Sequence, residues 1–119
     1  MSAKAMFVSL RDGYVIRQAQ NVKLPAFAVD RNVRYRITFS GRVQKVGFRL
    51  EVCELAKRLG LTGYCRNLEI GDVLAELQGT EEKIRFLISF MESLKRIKIR
   101  RKVIEEMELI PTETEFVQK

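Results

Sequence analysis

The stretch SGRVQKVGFR, from Ser40 to Arg49, concentrates groups that can bind an anion. It holds two glycines, three cationic side chains and one amide side chain, between a strand-like run and a helix-like run. A glycine-bearing loop that leads into a helix exposes main-chain N–H groups at the positive end of the helix dipole. Arg49 falls in the first predicted helical turn, where its planar guanidinium can bond two phosphate oxygens. The stretch predicts a site for phosphate or another oxyanion, the alternative being a plain strand-to-helix connection with a solvated arginine.

The residue inventory limits the chemistry that this site can use. The sequence has no histidine, and Cys53 and Cys65 are isolated, without C-x-x-C spacing. Zinc sites, Ser-His triads and Cys-His pairs are hard to build from such a set, so any catalysis must proceed without imidazole. The formal net charge of +7 favours anionic partners, which include phosphate compounds, nucleic acid and membrane surfaces.

Composition indicates an ordinary globular protein. The chain has 119 residues, of which 46% are hydrophobic and 31% charged, enough for one domain with a core of its own and room for an appendage. No apolar run approaches the length that crosses a bilayer, and the first residues lack the apolar stretch of a signal peptide. We therefore expect a cytoplasmic location and no membrane contact.

Hydrophobic periodicity predicts the elements that position the loop. Residues 33–40 alternate as a half-buried strand, and a helical stripe runs from Phe48 to Leu59 before Gly60, a typical C-terminal stop. The segment TGYCRNL from Thr62 and the segment from Val73 to Gly79 are two further strands, which the turn EIGD joins into a hairpin.

The remaining elements complete a known arrangement. A second helix begins at Thr80, a good N-cap, and closes with Lys95 and Arg96. Residues 102–110 alternate again with apolar residues on both faces, so which face is buried stays open, and Pro111 ends the strand. TEFVQK is compatible with a short closing strand. The order β-α-β-β-α-β predicts an α+β, ferredoxin-like split β-α-β fold, an antiparallel sheet with two helices on one face.

The chain divides into two predicted parts. Residues 33–119 form the ferredoxin-like domain, and residues 1–32 form an N-terminal extension. Within the extension FVSL-RDG-YVIR predicts a small β-hairpin with Gly13 at the turn, followed by a linker from Pro25. A partly disordered tail is the alternative for this segment.

Two motifs resemble those of the acylphosphatase family. GRVQKVGFR, from Gly41 to Arg49, is close to the family pattern G-R-V-Q-G-V-x-F-R, and GYCRNLEIGDV, from Gly63 to Val73, is close to G-W-V-R-N-x-x-D-G-x-V. LGLTG before the second motif and LQGTEEKI after it also resemble the family. The resemblance spans roughly residues 33–119, in order and without large insertions.

This resemblance implies hydrolysis of the carboxylic–phosphoric anhydride of acyl phosphates, without metal or cofactor. It implies that Arg49 and the loop amides bind the phosphate and that Asn67 positions the attacking water. Phosphoryl transfer relies on positioning and charge stabilisation, which a guanidinium, loop amides and a carboxamide can supply. The expected partner is a small-molecule acyl phosphate, bound by a monomer. The implied phosphate-binding residues are Gln44, Lys45, Val46, Gly47, Phe48 and Arg49.

Several positions depart from the family pattern. Lys45 stands where the loop usually has glycine, and if that position requires a positive φ, lysine costs about 1–2 kcal/mol. Tyr64 and Ile70 replace tryptophan and aspartate, which concerns packing and turn geometry. Arg66 lies on the opposite strand face from Asn67 if the alternation holds, and is expected to be solvated.

Three alternatives accompany the hydrolase prediction. The first is a catalytically weakened, phosphate-binding module of the same family, with Lys45 as the lesion. The second is a basic, ferredoxin-like nucleic-acid-binding domain that uses the run Lys95–Lys102, although YRITFS and YCRNL do not reproduce the aromatic signature of the RNA-recognition module. For that run, a solvated helix end and connection is the favoured interpretation. The third is a domain of a larger carbamoyl-transfer assembly.

Overall fold

From Asn32 onward the chain follows the predicted order of strands and helices. The structure, a computed structural model, describes residues 2–119. The ferredoxin-like α+β fold is confirmed, with a helix before it and a short strand after it. The helices are α1 Ala3–Asn21, α2 Phe48–Leu59 and α3 Glu81–Ser93, and the strands are β1 Asn32–Arg42, β2 Thr62–Asn67, β3 Val73–Thr80, β4 Lys98–Met107 and β5 Phe116–Gln118.

The five strands form one sheet in the order β4-β1-β3-β2-β5. The pairs β1–β3, β1–β4 and β2–β3 are antiparallel, as predicted, whereas β5 is parallel to β2. In this register Ile37 of β1 lies opposite Ala75 of β3 and Ile104 of β4. Because side chains alternate along each strand, these residues share the face that the helices cover.

The core lies between that face and the helices α2 and α3. Val33, Ile37 and Phe39 of β1 are buried there. The Phe39 ring packs on Phe48, the first residue of α2, with 5.0 Å between the ring centroids. This contact joins the end of β1 to the start of α2, so core packing holds both ends of the intervening loop.

The predicted N-terminal hairpin is wrong, because residues 3–21 form the helix α1. The Ser2 side chain accepts a hydrogen bond from the Ala5 N–H at 3.0 Å and caps its N-terminus. Val15 and Ala19, four residues apart, are fully buried where α1 packs on α2, and Gly13 lies inside the helix. None of the helices within residues 2–119, α1 included, combines the length and apolar character that a bilayer-spanning segment requires.

The last long strand starts and ends earlier than predicted. β4 covers Lys98–Met107 instead of 102–110, and α3 ends at Ser93, short of Lys95 and Arg96. The sequence leaves open which face of this strand is buried. In the structure most of β4 is exposed on both faces. Because β4 is an edge strand with both faces largely exposed, its apolar residues mark no buried face.

Candidate active site

The loop between β1 and α2 is fixed at both ends and exposed at its tip. Val43 and Val46 are buried and anchor it in the core, whereas Lys45 between them is exposed. Lys45 has a φ of 61°, in the left-handed region. The condition of the strain prediction is therefore met, because lysine occupies a conformation that favours glycine, and its cost stays a prediction.

The loop ends at the N-terminus of α2. Gly47 is the N-cap residue with a φ of 78°, and the first helical hydrogen bond runs from the Glu51 N–H to the Gly47 oxygen at 3.0 Å. The N–H groups of Phe48, Arg49 and Leu50 precede that bond and have no partner within the helix. Together with the helix dipole they form a surface that favours an anion.

Arg96 fixes the orientation of the loop peptide before Gly47. Its Nε donates to the Val46 oxygen at 2.8 Å. The C=O and N–H of a trans peptide point in opposite directions, so this bond turns the Gly47 N–H away from Arg96. Arg96 Nη2 also donates to Glu51 Oε1 at 2.7 Å, which ties the same guanidinium to α2.

Gln44 connects the loop to the β2–β3 turn. Its Nε2 donates to the main-chain oxygens of Leu68 and Asp72, at 2.8 Å in each case. Asn67, the last residue of β2, immediately precedes Leu68. The Gln44 side chain therefore brings the two sequence motifs together instead of facing a ligand.

Arg49 and Asn67 line one cavity of about 140 Å³ between the loop, the end of β2 and α1. The structure thus places the two predicted catalytic side chains on the same small space. Its wall carries three cations and a single carboxylate, a balance that suits an anionic ligand. The lining residues are Arg11, Asp12, Val43, Lys45, Gly47, Phe48, Arg49, Leu50, Asn67 and Gln118.

The closing strand β5 positions the Arg49 guanidinium. β5 pairs in parallel with β2, opposite Gly63 to Cys65, so the residues that follow it lie beside the N-terminal end of α2. Arg49 Nη1 donates to the Lys119 main-chain oxygen at 2.6 Å. One nitrogen of the guanidinium is therefore committed to the protein, which restricts the orientation of the others toward the cavity.

The two cysteines do not contribute a nucleophile. Cys65 is fully buried, and burial raises the pKa of its thiol to about 12, although the nearby Arg49 charge acts in the opposite direction. Burial likewise raises the pKa of Cys53 above its ordinary value. Since only the thiolate is strongly nucleophilic, both thiols are inert at neutral pH.

Glu51 places a buried carboxyl group directly behind the loop. It is fully buried, and burial raises its pKa although the hydrogen bond and charge of Arg96 lower it. Its Oε1 accepts from Arg96, whereas Oε2 has no hydrogen-bond partner within residues 2–119. The carboxyl group supports the site by holding Arg96, which in turn holds the loop.

The structure separates the predicted phosphate-binding residues into two groups. Lys45, Gly47, Phe48 and Arg49 line the cavity, whereas Gln44 and Val46 do not and instead hold the loop in place. Arg66 is exposed on the opposite strand face from buried Cys65, as the alternation predicts.

Sequence reasoning missed Arg11, Asp12 and the supporting role of Arg96. The sequence predicts a solvated basic run around Arg96, yet Arg96 is partly buried and bonded to three other segments. No spacing signal marks these residues, because the cavity and loop residues beside which they lie are distant in sequence.

Comparison with known proteins identifies the family. The family model described as Acylphosphatase matches residues 35–118, most of the chain and both motifs. The chain belongs to the acylphosphatase family. This is a family of hydrolases that act on acyl phosphates, and the family prediction is confirmed. The matched segment contains Arg49 and Asn67 and leaves α1 outside.

Individual acylphosphatases support the assignment. A relative of that name from Picrophilus torridus is 45% identical over 56 residues, which cover 47% of this chain and 69% of the relative. One from Clostridium beijerinckii is 42% identical over 64 residues, 54% of this chain and 68% of the relative. The crystal structure of acylphosphatase from Bacillus subtilis superposes with a TM-score of 0.68 at 26% identity, over 73% of this chain and 98% of that chain.

Proposed function

We propose that the protein hydrolyses the carboxyl–phosphate anhydride bond of acyl phosphates, giving a carboxylate and inorganic phosphate. Arg49 and the N–H groups at the start of α2 bind the phosphoryl oxygens, and the Asn67 carboxamide holds the attacking water. The observation that carries this proposal is the shared cavity, which Arg49 and Asn67 both line beside Gly47.

Each proposed role matches a physical requirement of the reaction. The water oxygen forms a bond to phosphorus while the bond from phosphorus to the acyl oxygen breaks, and the acyl group leaves as a carboxylate. Both protons of the attacking water stay with the phosphate product, which then exchanges them with solvent. Negative charge spreads over the phosphoryl oxygens during transfer, and Arg49 with the loop N–H groups stabilises it. Because a carboxylate is a good leaving group, the absence of histidine from the sequence is no obstacle.

The proposal is tested by the turnover of benzoyl phosphate in the presence of a chelator. Arg49→Ala removes the guanidinium, and we expect it to lower kcat/KM by about 10²–10³-fold or more, the scale for loss of one preorganised donor. Asn67→Ala removes the group that holds the water, so we expect kcat to fall on the same scale with a smaller change in KM. Circular dichroism and thermal melting check that both variants fold.

Arg66→Ala is the matched control, because Arg66 neighbours Asn67 but is exposed on the other face of β2. It should retain parental kcat/KM. If Arg49→Ala and Asn67→Ala also retain it, the proposed roles are wrong even though the family assignment stands.

The left-handed φ of Lys45 favours a second candidate function, which is a phosphate-binding module with little or no turnover. A strained loop can displace its N–H groups from the positions that the transition state requires. A folded parent protein that binds inorganic phosphate but does not hydrolyse benzoyl phosphate would favour this second function. Restoration of turnover by Lys45→Gly would then identify the lesion.

The open face of the sheet gives little support to a nucleic-acid-binding function. RNA-recognition modules stack bases on aromatic side chains there, whereas Phe39 faces the opposite way and is fully buried. The monomeric state, the cytoplasmic location and the lack of a nucleic-acid partner stay predictions from the sequence. The open-face positions of β1 and β3 carry Arg34, Arg36, Thr38, Leu74, Glu76 and Gln78.

A further inference from the structure

A second guanidinium reaches the cavity from outside the family-matched segment. Arg11 and Asp12 of α1 line the same space as Arg49 and Asn67. The matched segment begins at residue 35, after the end of α1. The residues that characterise the family therefore do not account for this part of the wall.

α1 is held over the phosphate loop by direct packing. Val15 is fully buried, and its Cγ2 lies 2.8 Å from the position that a Cβ on Gly47 would occupy. Any side chain at Gly47 would therefore collide with α1, in addition to the strain of a positive φ. The absence of a side chain at this N-cap position lets the helix approach the loop closely.

Hydrogen bonds fix α1 in this place. Arg58 Nη1 donates to the main-chain oxygens of Ala19 and Val22, both at 2.7 Å, and so satisfies carbonyl groups at the C-terminal end of the helix. Arg96 Nη1 donates to Gln18 Oε1 at 2.6 Å, from the same guanidinium that holds the loop. The position of α1 is thus coupled to that of the phosphate loop.

The Arg11 side chain lies against the loop with part of its guanidinium unused. Its Nε and Cδ are 3.6 and 3.7 Å from the Cβ position built on Gly47. Asp12 Oδ1 accepts from Arg11 Nε at 3.1 Å and from Nη2 at 2.9 Å, a pairing that does not use Nη1. Both side chains are about one-third exposed, so solvent and a small ligand can reach them.

We propose that Arg11 is a further substrate-binding residue, which donates to a phosphoryl oxygen of the bound acyl phosphate opposite Arg49. In the structure Asp12 pairs with Arg11 and keeps it beside the loop. The Asp12 carboxylate also repels an incoming anion, so Asp12 limits affinity while Arg11 supplies it. This inference rests on the proposed function, since it assigns a further residue to the same site.

The test measures both binding and turnover. Arg11→Met keeps the aliphatic stem against Gly47 and removes the charge. We expect the Kd for inorganic phosphate, measured by calorimetry, and the KM for benzoyl phosphate to rise about 10- to 100-fold, the value of a hydrogen bond to a charged group. kcat should change less, because the substitution does not alter the attacking water or Asn67, which holds it. Arg11→Lys should restore part of the affinity.

Asp12→Asn gives a change in the opposite direction. It removes the competing charge and the repulsion, so we expect the Kd for phosphate to fall below that of the parent. Arg17→Met is the matched control, an exposed arginine on the same helix outside the cavity lining, and it should leave both constants unchanged. Thermal melting of each variant separates loss of folding from loss of binding.

The outcomes distinguish this inference from the proposed function. If Arg11→Met binds phosphate and substrate as the parent does while Arg49→Ala does not, Arg11 has no binding role and the proposed function stands. If the parent binds phosphate without turnover and Arg11→Met weakens that binding, Arg11 is supported and the hydrolase function is rejected. If the parent neither binds nor hydrolyses, both are overturned.

Discussion

Lys45 occupies a backbone conformation that is unfavourable for a residue with a Cβ. The loop turns through a left-handed conformation at this position, with a φ of 61°, whereas the family pattern has glycine there. For a residue with a Cβ this conformation costs about 1–2 kcal/mol. The side chain also lines the cavity as an exposed cation, so the same residue can strain the loop and attract the substrate.

We expect Lys45→Gly to stabilise the protein. The strain is relieved, but glycine loses more backbone entropy on folding, so the net gain in the free energy of unfolding should be about 1 kcal/mol or less. Urea denaturation measures it. Lys45→Ala is the control, because it removes the charge and keeps the strain. Equal stability of the glycine and alanine variants would show that the backbone conformation costs nothing here.

Residues with local signals were predictable, and residues that act over long distances were not. Arg49 and Asn67 belong to contiguous motifs, so the sequence predicts both as site residues, and both line one cavity. The tie from Gln44 to Leu68 spans 24 residues, and the one from Arg96 to Val46 spans 50. Nothing in the local sequence of an arginine or glutamine indicates which distant carbonyl oxygen it will meet.

At the scale of elements, a buried ion-pair network connects neighbouring strands on the open face of the sheet. Arg34 of β1 is only 2% exposed, and its Nε donates to Glu76 Oε1 of β3 at 2.8 Å. Glu113, from the segment before β5, accepts from Arg34 Nη1 at 2.7 Å, and Tyr64 of β2 donates to Glu76 Oε2 at 2.8 Å. The network links three strands and the segment before β5 on the face that has no helices.

The network predicts loss of stability in acid. Burial alone would raise the pKa of Glu76, but hydrogen bonds from Tyr64, Arg34 and Arg36 lower it below the ordinary value of 4.5. The stabilising contribution is therefore complete above about pH 4.5 and is lost as the pH falls through the lower pKa of the folded state. Glu76→Gln should be less stable than the parent at pH 7, and the two should converge as the pH falls.

Urea denaturation at a series of pH values measures this convergence. Glu105→Gln is the matched control, since Glu105 is an exposed carboxylate opposite Arg36 on the edge strand β4. Exposed pairs contribute about 0–1 kcal/mol, so this variant should follow the parent closely. A constant difference between parent and Glu76→Gln across the pH range would contradict the assigned role of the network.

The elements with strong periodicity were predictable, and α1 was not. β1, α2 and α3 each bury a regular set of apolar residues, and their predicted and observed positions agree closely. α1 buries only Val15 and Ala19, and the RDG sequence before Tyr14 resembles a turn. Its helical state depends on packing against α2, which a local pattern cannot reveal.

At the scale of the whole molecule, the cavity is assembled from both ends of the chain. Arg11 comes from α1, Arg49 from the start of α2, Asn67 from the end of β2 and Gln118 from β5. The predicted boundary at residue 32 separates α1 from the three elements that carry Arg49, Asn67 and Gln118. α1 contributes to the site but buries only Val15 and Ala19, so its stability need not equal that of the sheet.

If α1 is less stable than the sheet, its amides should exchange faster than those of the sheet in native-state hydrogen exchange. Val15→Ala removes two fully buried methyl groups from the contact between α1 and Gly47, worth about 1.5 kcal/mol. We expect the amides of α1 to exchange about tenfold faster and those of β1, which lies between β3 and β4, to stay unchanged. Ile37→Val is the control, since loss of a core methylene should accelerate exchange in β1. Equal acceleration of α1 and β1 by Val15→Ala would mean that both unfold as one unit, because only a shared opening reaction transmits the loss of one helix contact to a central strand.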